Sequence, residues 1–208
     1  MKIALVCPAS LPATQFGGIL FLCVDIAREL SKKGHQISIY TTDLDFANNA
    51  NTFSKNLPRI EKINQFYIKR SHVWIAFKLF FFNPSMFFQM RKDNFDIIHS
   101  IGVRSFQSFI AALIARQKNI PFVISDQGGL TTHPDIIMGK FINKLIYRLQ
   151  SPIIKFIINQ ATKIIVANEY EKNIFLEFTR EDKISIVKNG INLEDFNKPI
   201  VDFRKKYS

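Results

Sequence analysis

Short apolar runs alternate with helical segments along most of the chain, and this alternation limits the folds that the sequence can adopt. Segments with helical periodicity, such as residues 18–33, separate the apolar runs. Strands joined through helices pair in parallel, and a parallel sheet is buried on both faces. The sequence therefore predicts an α/β fold: a doubly wound, Rossmann-like parallel sheet with helices on both faces. The predicted strands are residues 2–7, 36–41, 65–69, 96–99, 121–125, 163–167 and 184–187.

The composition indicates a folded domain with a basic surface. The 208 residues are 47% hydrophobic, which is enough to bury a core. A net charge of +11 favours anionic partners: nucleic acid, acidic lipid or phosphorylated small molecules. Nucleic acid ranks last because the cations are spread along the chain and no recognition motif is visible, so we expect no nucleic-acid partner.

The two cysteines and the apolar segments bear on where the protein resides. Cys7 and Cys23 lie in apolar surroundings without metal-ligand spacing, which predicts buried, reduced thiols and no metal site. The chain starts directly with a strand, and no charge-free apolar run approaches the ~18 residues of a spanning helix. These features predict a cytoplasmic location.

A pair of glycines follows the first strand and opens the first helix. Gly17 and Gly18 stand where backbone N–H groups and the positive end of the helix dipole can receive an anion, and glycine lets a phosphate come close. The spacing is not G-x-G-x-x-G, so the dinucleotide fingerprint is absent. The alternative interpretation, a flexible strand–helix loop, stays open.

Ligands of open α/β sheets bind at the carboxyl ends of the strands, which places residues 8–18, 99–104, 126–133 and 168–171 at one edge. His99 is a candidate there, although a core histidine bonded to a backbone carbonyl is equally compatible with the sequence. Asp126, which starts a polar, glycine-rich loop, is a candidate acid–base or hydroxyl-binding group, or else a turn or cap residue. Glu169 is better explained as an acidic residue in the first turn of a helix.

Residues 66–92 interleave bulky aromatic residues with cations. A helix cannot bury Phe80, Phe81 and Phe82 on one narrow stripe, so some of these rings are expected at the surface. With Trp74 and the nearby cations they form a candidate contact with an anionic membrane surface, and the alternative is that they fill the core. Residues 136–160, with Pro152 among them, are expected to form a long basic helix that covers the sheet. The cations are Lys69, Arg70, Lys78, Arg91 and Lys92.

Four stretches of the chain resemble the N-terminal half of the family 4 glycosyltransferases, which have the two-domain GT-B fold. The first is the strand–loop–helix opening with Gly17 and Gly18. The others are residues 95–102 (FDIIHSIG), residues 120–130 (IPFVISDQGGL), and residues 161–171 (ATKIIVANEYE) leading to residues 186–196 (IVKNGINLEDF). Their order and spacing cover nearly the whole chain.

The resemblance implies an N-terminal domain that holds the acceptor and a C-terminal domain that binds the nucleotide sugar across a cleft. It implies transfer with retention of configuration, no cofactor and no required metal. The partners would be a nucleotide sugar and a glycan or lipid-linked acceptor, as in the synthesis of cell-envelope glycans. Gly17, Gly18 and Gly128 would bind the donor, and His99, Asp126 and Gln127 would be the catalytic residues.

The resemblance also sets expectations about domain limits. Residues 1–196 would form the domain, residues 197–208 would begin an interdomain linker, and the C-terminal donor-binding domain would be absent, leaving this half inactive alone. Two positions depart from the family pattern: Ile101 replaces a second histidine, and Gln127 replaces the histidine of a His-Gly pair. Gln127 can still donate to a sugar hydroxyl, whereas Ile101 cannot. The alternative is a non-catalytic, membrane-associated subunit that recruits a donor-binding partner.

Overall fold

A computed structural model describes residues 1–45, 52–77, 80–130 and 141–190, with the side chains of 52 and 141–149 not described. An eight-stranded sheet forms its centre, in the order β12-β11-β10-β9-β1-β2-β6-β5. Every neighbouring pair is parallel except β5 and β6. Its strands are β1 (Lys2–Val6), β2 (Gln36–Thr42), β5 (Ile60–Ile63), β6 (Phe66–Ser71), β9 (Ile97–Ile101), β10 (Phe122–Ser125), β11 (Lys163–Val166) and β12 (Ile184–Ile186).

Helices cover both faces of the sheet. One face packs against α1 (Gly18–Lys32), whose apolar side inserts Leu20, Cys23 and Val24. The other face packs against α2 (Ser85–Lys92), α3 (Phe106–Lys118), α4 (Phe141–Gln160) and α5 (Glu169–Leu176). Burial of each leucine- or valine-sized side chain contributes about 1.5–3 kcal/mol to the free energy of folding. The apolar runs of the sequence therefore favour a sheet that is covered on both faces, as the α/β prediction requires.

Two small antiparallel pairs stand outside the main sheet. They are β3 (Leu44–Asp45) with β4 (Thr52–Phe53), and β7 (Ile75–Phe77) with β8 (Phe80–Phe82). Neither pair is among the strands predicted from the sequence, and strand β5 is missing from that prediction as well. The predicted ends are otherwise within a few residues of the observed ones.

We call the β7–β8 pair, together with Trp74, the aromatic hairpin. Because Phe80, Phe81 and Phe82 form a strand here, their side chains do not all point the same way. In a strand, neighbouring side chains point to opposite sides. Phe81 is buried against Phe16 and Phe53, with ring centroids 6.1 and 5.4 Å away. Phe80 and Phe82 point to the other side, against Phe106 at the start of α3. Of these three phenylalanines, Phe81 alone lies in the core; at the start of the same stretch, Phe66 is buried there as well.

The cations predicted beside these aromatic residues do not form one surface. Arg70 is 1% exposed and paired with Glu61, and Lys69 is paired with Asp93. Arg91 and Lys92 are exposed at the end of α2. Because α2 begins next to β8 and leads back to the start of β9, these two lie at the opposite edge of the sheet from the hairpin. Lys78 lies outside the described residues.

The structure describes both cysteines and most of the predicted long helix. Cys7 and Cys23 are buried and free, as predicted. Helix α4 contains Pro152, and its residues Ile154, Ile157 and Ile158 are buried against the sheet. In the described ranges, no group of acidic, histidine and cysteine side chains could hold a metal ion. Nor do those ranges include a helix with the length and apolar content needed to cross a bilayer.

Candidate functional site

The loops that follow the parallel strands meet at one edge of the sheet, which we call the carboxyl edge. Backbone hydrogen bonds join neighbouring loops: Gly102 N–H donates to Ser125 O at 2.8 Å, and Asp126 N–H donates to Ile165 O at 3.2 Å. On the other side of β1, Thr42 Oγ1 donates to Pro8 O at 2.6 Å. The segments predicted to share an edge therefore do so.

Helix α1 begins at this edge without a side-chain cap. Gly17 occupies the N-cap position with φ of +104°, and α1 itself begins at Gly18. By contrast, α3 and α5 begin at the same edge with Ser105 and Asn168 accepting from their own first-turn N–H groups. The first N–H groups of a helix have no acceptor within it. At α1 the N–H of Leu20 donates to Gly17 O at 3.2 Å, and the N–H groups of Gly18 and Ile19 are left for an external group.

Space for that group exists next to both glycines. A Cβ added at Gly17 or Gly18 would meet no other atom within 4 Å, and the same is true of Gly102 on the neighbouring loop. Positive φ at Gly17 and Gly102 is a conformation that side chains rarely adopt. Backbone geometry and open space are compatible with the predicted anion site, which we call the anion cradle; that it binds an anion stays a prediction.

Arg70 anchors the loop that leads into Gly17. Its Nη2 donates to Leu11 O at 2.7 Å and to Glu61 Oε2 at 2.6 Å, and its Nη1 donates to Pro58 O at 3.0 Å. A guanidinium can hold several acceptors in fixed directions because it is planar. Arg70 therefore holds the loop before Gly17 in place from inside the protein. The sequence analysis missed this role because it grouped Arg70 with the surface cations.

Asp126 is fully buried beneath its own loop. Its Oδ2 accepts from Leu130 N–H at 3.2 Å, and no hydrogen bond of normal geometry reaches Oδ1 in the described ranges. Burial raises the pKa of Asp126 to about 6, and the nearby Glu171 adds to the rise, while the N–H groups of Leu130, Val103 and Gly129 oppose it. This placement agrees with the turn-residue alternative. The catalytic role of Asp126 stays a prediction.

Gln127 and Gly128 form the exposed part of the same loop. The carboxamide of Asn189 donates to Gln127 Oε1 at 2.7 Å, and Gln127 Nε2 donates back at 3.4 Å. This amide pair ties the loop after β10 to the segment after β12. Gly128 has φ of +78°, which turns the chain sharply between Gln127 and Gly129. His133, the predicted end of this loop, lies outside the described residues.

His99 lies within β9 rather than at its end, because the strand continues to Ile101. Its Nε2 is 2.7 Å from Ser125 Oγ on β10, not bonded to a backbone carbonyl as the core alternative supposed. Burial lowers the pKa of His99 to about 4, so the imidazole is neutral at physiological pH. Glu169 is in the first turn of α5, next to the Asn168 cap, in agreement with the helix interpretation.

Two polar contacts at the carboxyl edge were not predicted. Arg104 donates to Gly129 O at 3.4 Å and to Gln150 Oε1 at 2.9 Å, so it joins the loops after β9 and β10 to α4. His72 Nδ1 lies 2.6 Å from Asp43 Oδ2, at the ends of β6 and β2. The available signal for this second pair was a polar residue within three positions of the end of each of two predicted strands.

A Rossmann-like parallel sheet whose loops meet at its carboxyl edge defines a domain of the doubly wound α/β class. Within that class, the model of Glycosyltransferase Family 4 matches residues 16–195 of the chain. The chain therefore belongs to this family. Among functionally curated proteins, none matches the sequence significantly.

Solved structures support the same fold. Anabaena HepE, solved in complex with UDP, aligns with 93% of this chain and 45% of its own at a TM-score of 0.54 and 14% identity. The catalytic domain of Arabidopsis thaliana starch synthase IV, bound to ADP and acarbose, aligns with 94% of this chain and 53% of its own at a TM-score of 0.54 and 12% identity. The Neisseria meningitidis UDP-GlcNAc 2-epimerase aligns with 99% of this chain and 52% of its own at a TM-score of 0.51 and 14% identity. The chain thus spans about half of each relative and corresponds to one half of a GT-B fold.

Proposed function

We propose that this chain is the N-terminal, acceptor-side half of a retaining glycosyltransferase. It would position a glycan or lipid-linked acceptor while a sugar is transferred from a nucleotide sugar, without a metal ion or other cofactor. The observation that carries the proposal is the uncapped start of α1, with open space beside Gly17 and Gly18. Membership of the glycosyltransferase family supports it.

The donor diphosphate would lie against the first turn of α1. The helix dipole and the unpaired N–H groups favour negative charge there, and they act most strongly on the charge that develops on the leaving diphosphate. A charge at a helix N-terminus gains about 0.3–1 kcal/mol, so two phosphate charges gain at most about 2 kcal/mol. That is about a 30-fold gain in affinity, too little for tight binding by this half alone.

A second GT-B half would therefore supply most of the donor affinity. We propose that residues 1–196 form the acceptor-side domain, that residues 197–208 lead into the linker, and that a C-terminal domain binds the nucleotide and sugar. The coverage of about half of each solved relative supports this division. Activity as an isolated half is not expected.

Binding of a nucleotide to the chain itself tests the anion cradle. The ¹⁵N-labelled protein would be titrated with UDP at millimolar concentration, because HepE was solved with UDP. The amide signals of Gly17, Gly18 and Gly102 are expected to shift together, and uridine without phosphates should leave them unchanged. Shifts confined to other parts of the chain, or equal shifts with uridine, would reject the cradle as a diphosphate site.

Transfer itself is tested by joining the chain to a donor-binding GT-B half and offering UDP-sugars with glycan and lipid-linked acceptors. The product is expected to keep the anomeric configuration of the donor, and EDTA should leave the rate unchanged. Inversion would contradict the retaining mechanism, and loss of activity in EDTA would contradict the metal-free one. A folded fusion that consumes no donor with any acceptor would reject the acceptor-side assignment.

The aromatic hairpin supports a peripheral membrane location on the cytoplasmic face. Trp74 is 66% exposed and Phe77 is 60% exposed, and Ile75 beside them is exposed as well. Such rings prefer the bilayer interface. Flotation with vesicles is expected to recover the protein, and Trp74→Ser with Phe77→Ser should abolish recovery. Because Lys69 and Arg70 are engaged inside the protein, binding should depend only weakly on anionic lipid; a strict need for anionic lipid would contradict this.

The same hairpin motivates a second candidate, a non-catalytic membrane-associated subunit that recruits a donor-binding partner. Vesicle binding together with an absence of UDP shifts at Gly17 and Gly18 would favour this candidate over the transferase.

A further inference from the structure

His72 and Asp43 form a pair at the carboxyl edge, away from the predicted donor site. Asp43 directly follows β2 and His72 directly follows β6, and these strands are parallel neighbours in which Thr42 is in register with Ser71. His72 Nδ1 lies 2.6 Å from Asp43 Oδ2. The carboxyl of Asp43 is 1% exposed, whereas the imidazole of His72 is 24% exposed. A buried acid thus holds an imidazole that reaches solvent.

The contact fixes which ring nitrogen of His72 carries the proton. An ionised carboxylate can only accept hydrogen bonds, so Nδ1 of His72 must donate to it. In the neutral ring, Nε2 is then an acceptor. Across the described ranges no side chain or backbone group is hydrogen-bonded to His72 Nε2.

Asp43 is itself held in place, so the orientation of the imidazole is fixed. Its Oδ1 accepts from Val73 N–H at 3.1 Å. Its backbone N–H donates to Ser71 O at 3.2 Å, and its backbone O accepts from Ser54 N–H at 2.9 Å. A buried carboxylate that is hydrogen-bonded to one ring nitrogen sets the tautomer and orientation of the imidazole and leaves the other nitrogen for a ligand.

Apolar residues follow His72 directly in the sequence. Val73 is buried, whereas the imidazole of His72 on one side of it is partly exposed and the side chain of Trp74 on the other is largely exposed. Trp74 leads into the aromatic hairpin with Ile75 and Phe77. A ligand that meets both features needs a hydroxyl for the imidazole and an apolar part for the hairpin, which are the two ends of a glycolipid.

We propose that His72 is an acceptor-binding residue whose Nε2 accepts a hydrogen bond from a hydroxyl in the head group of a membrane lipid, and that Asp43 is its positioning residue. This inference rests on the proposed glycosyltransferase function and specifies the acceptor as an amphiphile with a hydroxylated head group. β6 is two strands from β1, and strands are about 4.8 Å apart, so the pair lies roughly 10 Å across the edge from the end of β1. That separation suits a head group lying next to a donor at α1.

A structural role is the competing explanation, because Asp43 also braces the turn at His72 and Val73. If the pair has only a structural role, the signals of His72 should not change when a soluble ligand is added, whereas a binding residue should show a change. The probe is n-octyl β-D-glucoside below its micelle concentration, which carries hydroxyls on a short alkyl chain. Glucose supplies the hydroxyls alone, and decylphosphocholine supplies an alkyl chain without a hydroxyl.

Two signals follow the probe independently in the wild-type chain. The ring ¹⁵N resonances of His72 report on Nε2, and the fluorescence of Trp74, the single tryptophan of the sequence, reports on the hairpin. Octyl glucoside is expected to change both over one concentration range, glucose to change His72 only at much higher concentration, and decylphosphocholine to change Trp74 alone. If octyl glucoside changes Trp74 while His72 Nε2 stays unaffected, or changes neither, the proposal is wrong.

Substitution adds a matched comparison. His72→Gln is expected to weaken octyl glucoside binding about 3- to 10-fold, the range for losing one hydrogen bond of about 0.5–1.5 kcal/mol. His35→Gln is the control, because His35 lies at the opposite edge next to the N-terminus. Equal affinities of the two variants would overturn the proposal. The UDP shifts at Gly17 and Gly18 are read separately, so failure of this site and failure of the donor cradle are distinguished.

Discussion

Oδ1 of Asp126 lies 2.9 Å from the point at which a Cβ on residue 129 would stand. Glycine at position 129 is thus what allows the loop after β10 to close over the buried carboxyl. The carboxyl in turn accepts from Leu130 N–H, so side chain and loop support each other. The arrangement leads to predictions about the loop and about the pH dependence of stability.

Gly129→Ala should destabilise the fold. Real Cβ atoms essentially never come within 3.0 Å of another heavy atom, and Asp126 is short and fully buried, so it has little room to withdraw. We expect a loss of about 1–2 kcal/mol in the free energy of unfolding, measured by urea denaturation. Gly190→Ala is the control, because a Cβ there meets nothing within 4 Å. Equal stabilities of the two variants would show that the loop relaxes freely.

The ionisation of Asp126 should lower stability as the pH rises. Its pKa is about 6 in the folded protein against an ordinary value of 3.8, so the folded state binds the extra proton between these values. Stability from this group is fully present below about pH 4 and is lost as the pH rises through 6, by on the order of 2–3 kcal/mol. Asp126→Asn should remove this falling contribution, so the stability of the variant should rise relative to that of the wild type from pH 4 to 6, whereas the exposed Asp182→Asn should keep the wild-type profile.

His99 should act in the opposite direction over nearly the same range. Its pKa is about 4 in the folded protein against an ordinary 6.5, so the unfolded chain binds the extra proton. The contribution of this group to stability is present above about pH 6.5 and is lost as the pH falls through 4, by on the order of 3 kcal/mol. The wild type should therefore show a flat profile, and His99→Gln should fall in stability from pH 4 to 6. A wild-type profile identical to that of His99→Gln would contradict the buried, neutral imidazole.

The sequence was sufficient for the parallel strands of the main sheet because most of them are apolar runs, which burial on both faces requires, but it did not predict the antiparallel edge strand β5. It failed at residues 73–82, where a high density of phenylalanine is compatible with a helix or a strand. Only the pairing of Ile75 with Phe82 decides between them. The paired strands have only three residues each, and periodicity over so few residues does not reveal an antiparallel pair.

The candidate site could be predicted only where its residues are neighbours in the sequence. Gly17 and Gly18 adjoin each other and a strand, so the cradle could be predicted from consecutive residues. The Asp43–His72 pair joins residues 29 apart, and Arg70 reaches Leu11 across 59 residues. Such contacts depend on the order of strands in the sheet, which one sequence does not specify.

Gly18→Ala should separate ligand binding from stability. Residue 18 is helical and its Cβ position is open, so alanine should leave stability unchanged or raise it by up to about 1 kcal/mol. The same methyl occupies the space proposed for the diphosphate, and we expect UDP affinity to fall at least about threefold, a loss of roughly 0.7 kcal/mol. Gly17→Ala, by contrast, places a side chain at φ of +104° and should cost about 1–3 kcal/mol of stability. Unchanged UDP shifts in Gly18→Ala would count against the cradle.

Arg70→Met should destabilise the protein and loosen the loop before α1. The substitution keeps the buried stem but removes the donors to Leu11 O, Pro58 O and Glu61. Glu61 reaches solvent, so no charge is stranded, and we expect a loss of about 2–3 kcal/mol, mainly from two carbonyls left without donors.

Arg180→Met is the matched control for Arg70→Met, because the Arg180–Asp182 pair is largely exposed and should contribute less than about 0.5 kcal/mol. Urea denaturation measures both losses, and hydrogen exchange at the N–H groups of Ala13 and Phe16 follows the loop. Exchange should accelerate in Arg70→Met beyond what the global loss of stability explains. If only global stability changes, Arg70 supports the sheet and not the cradle.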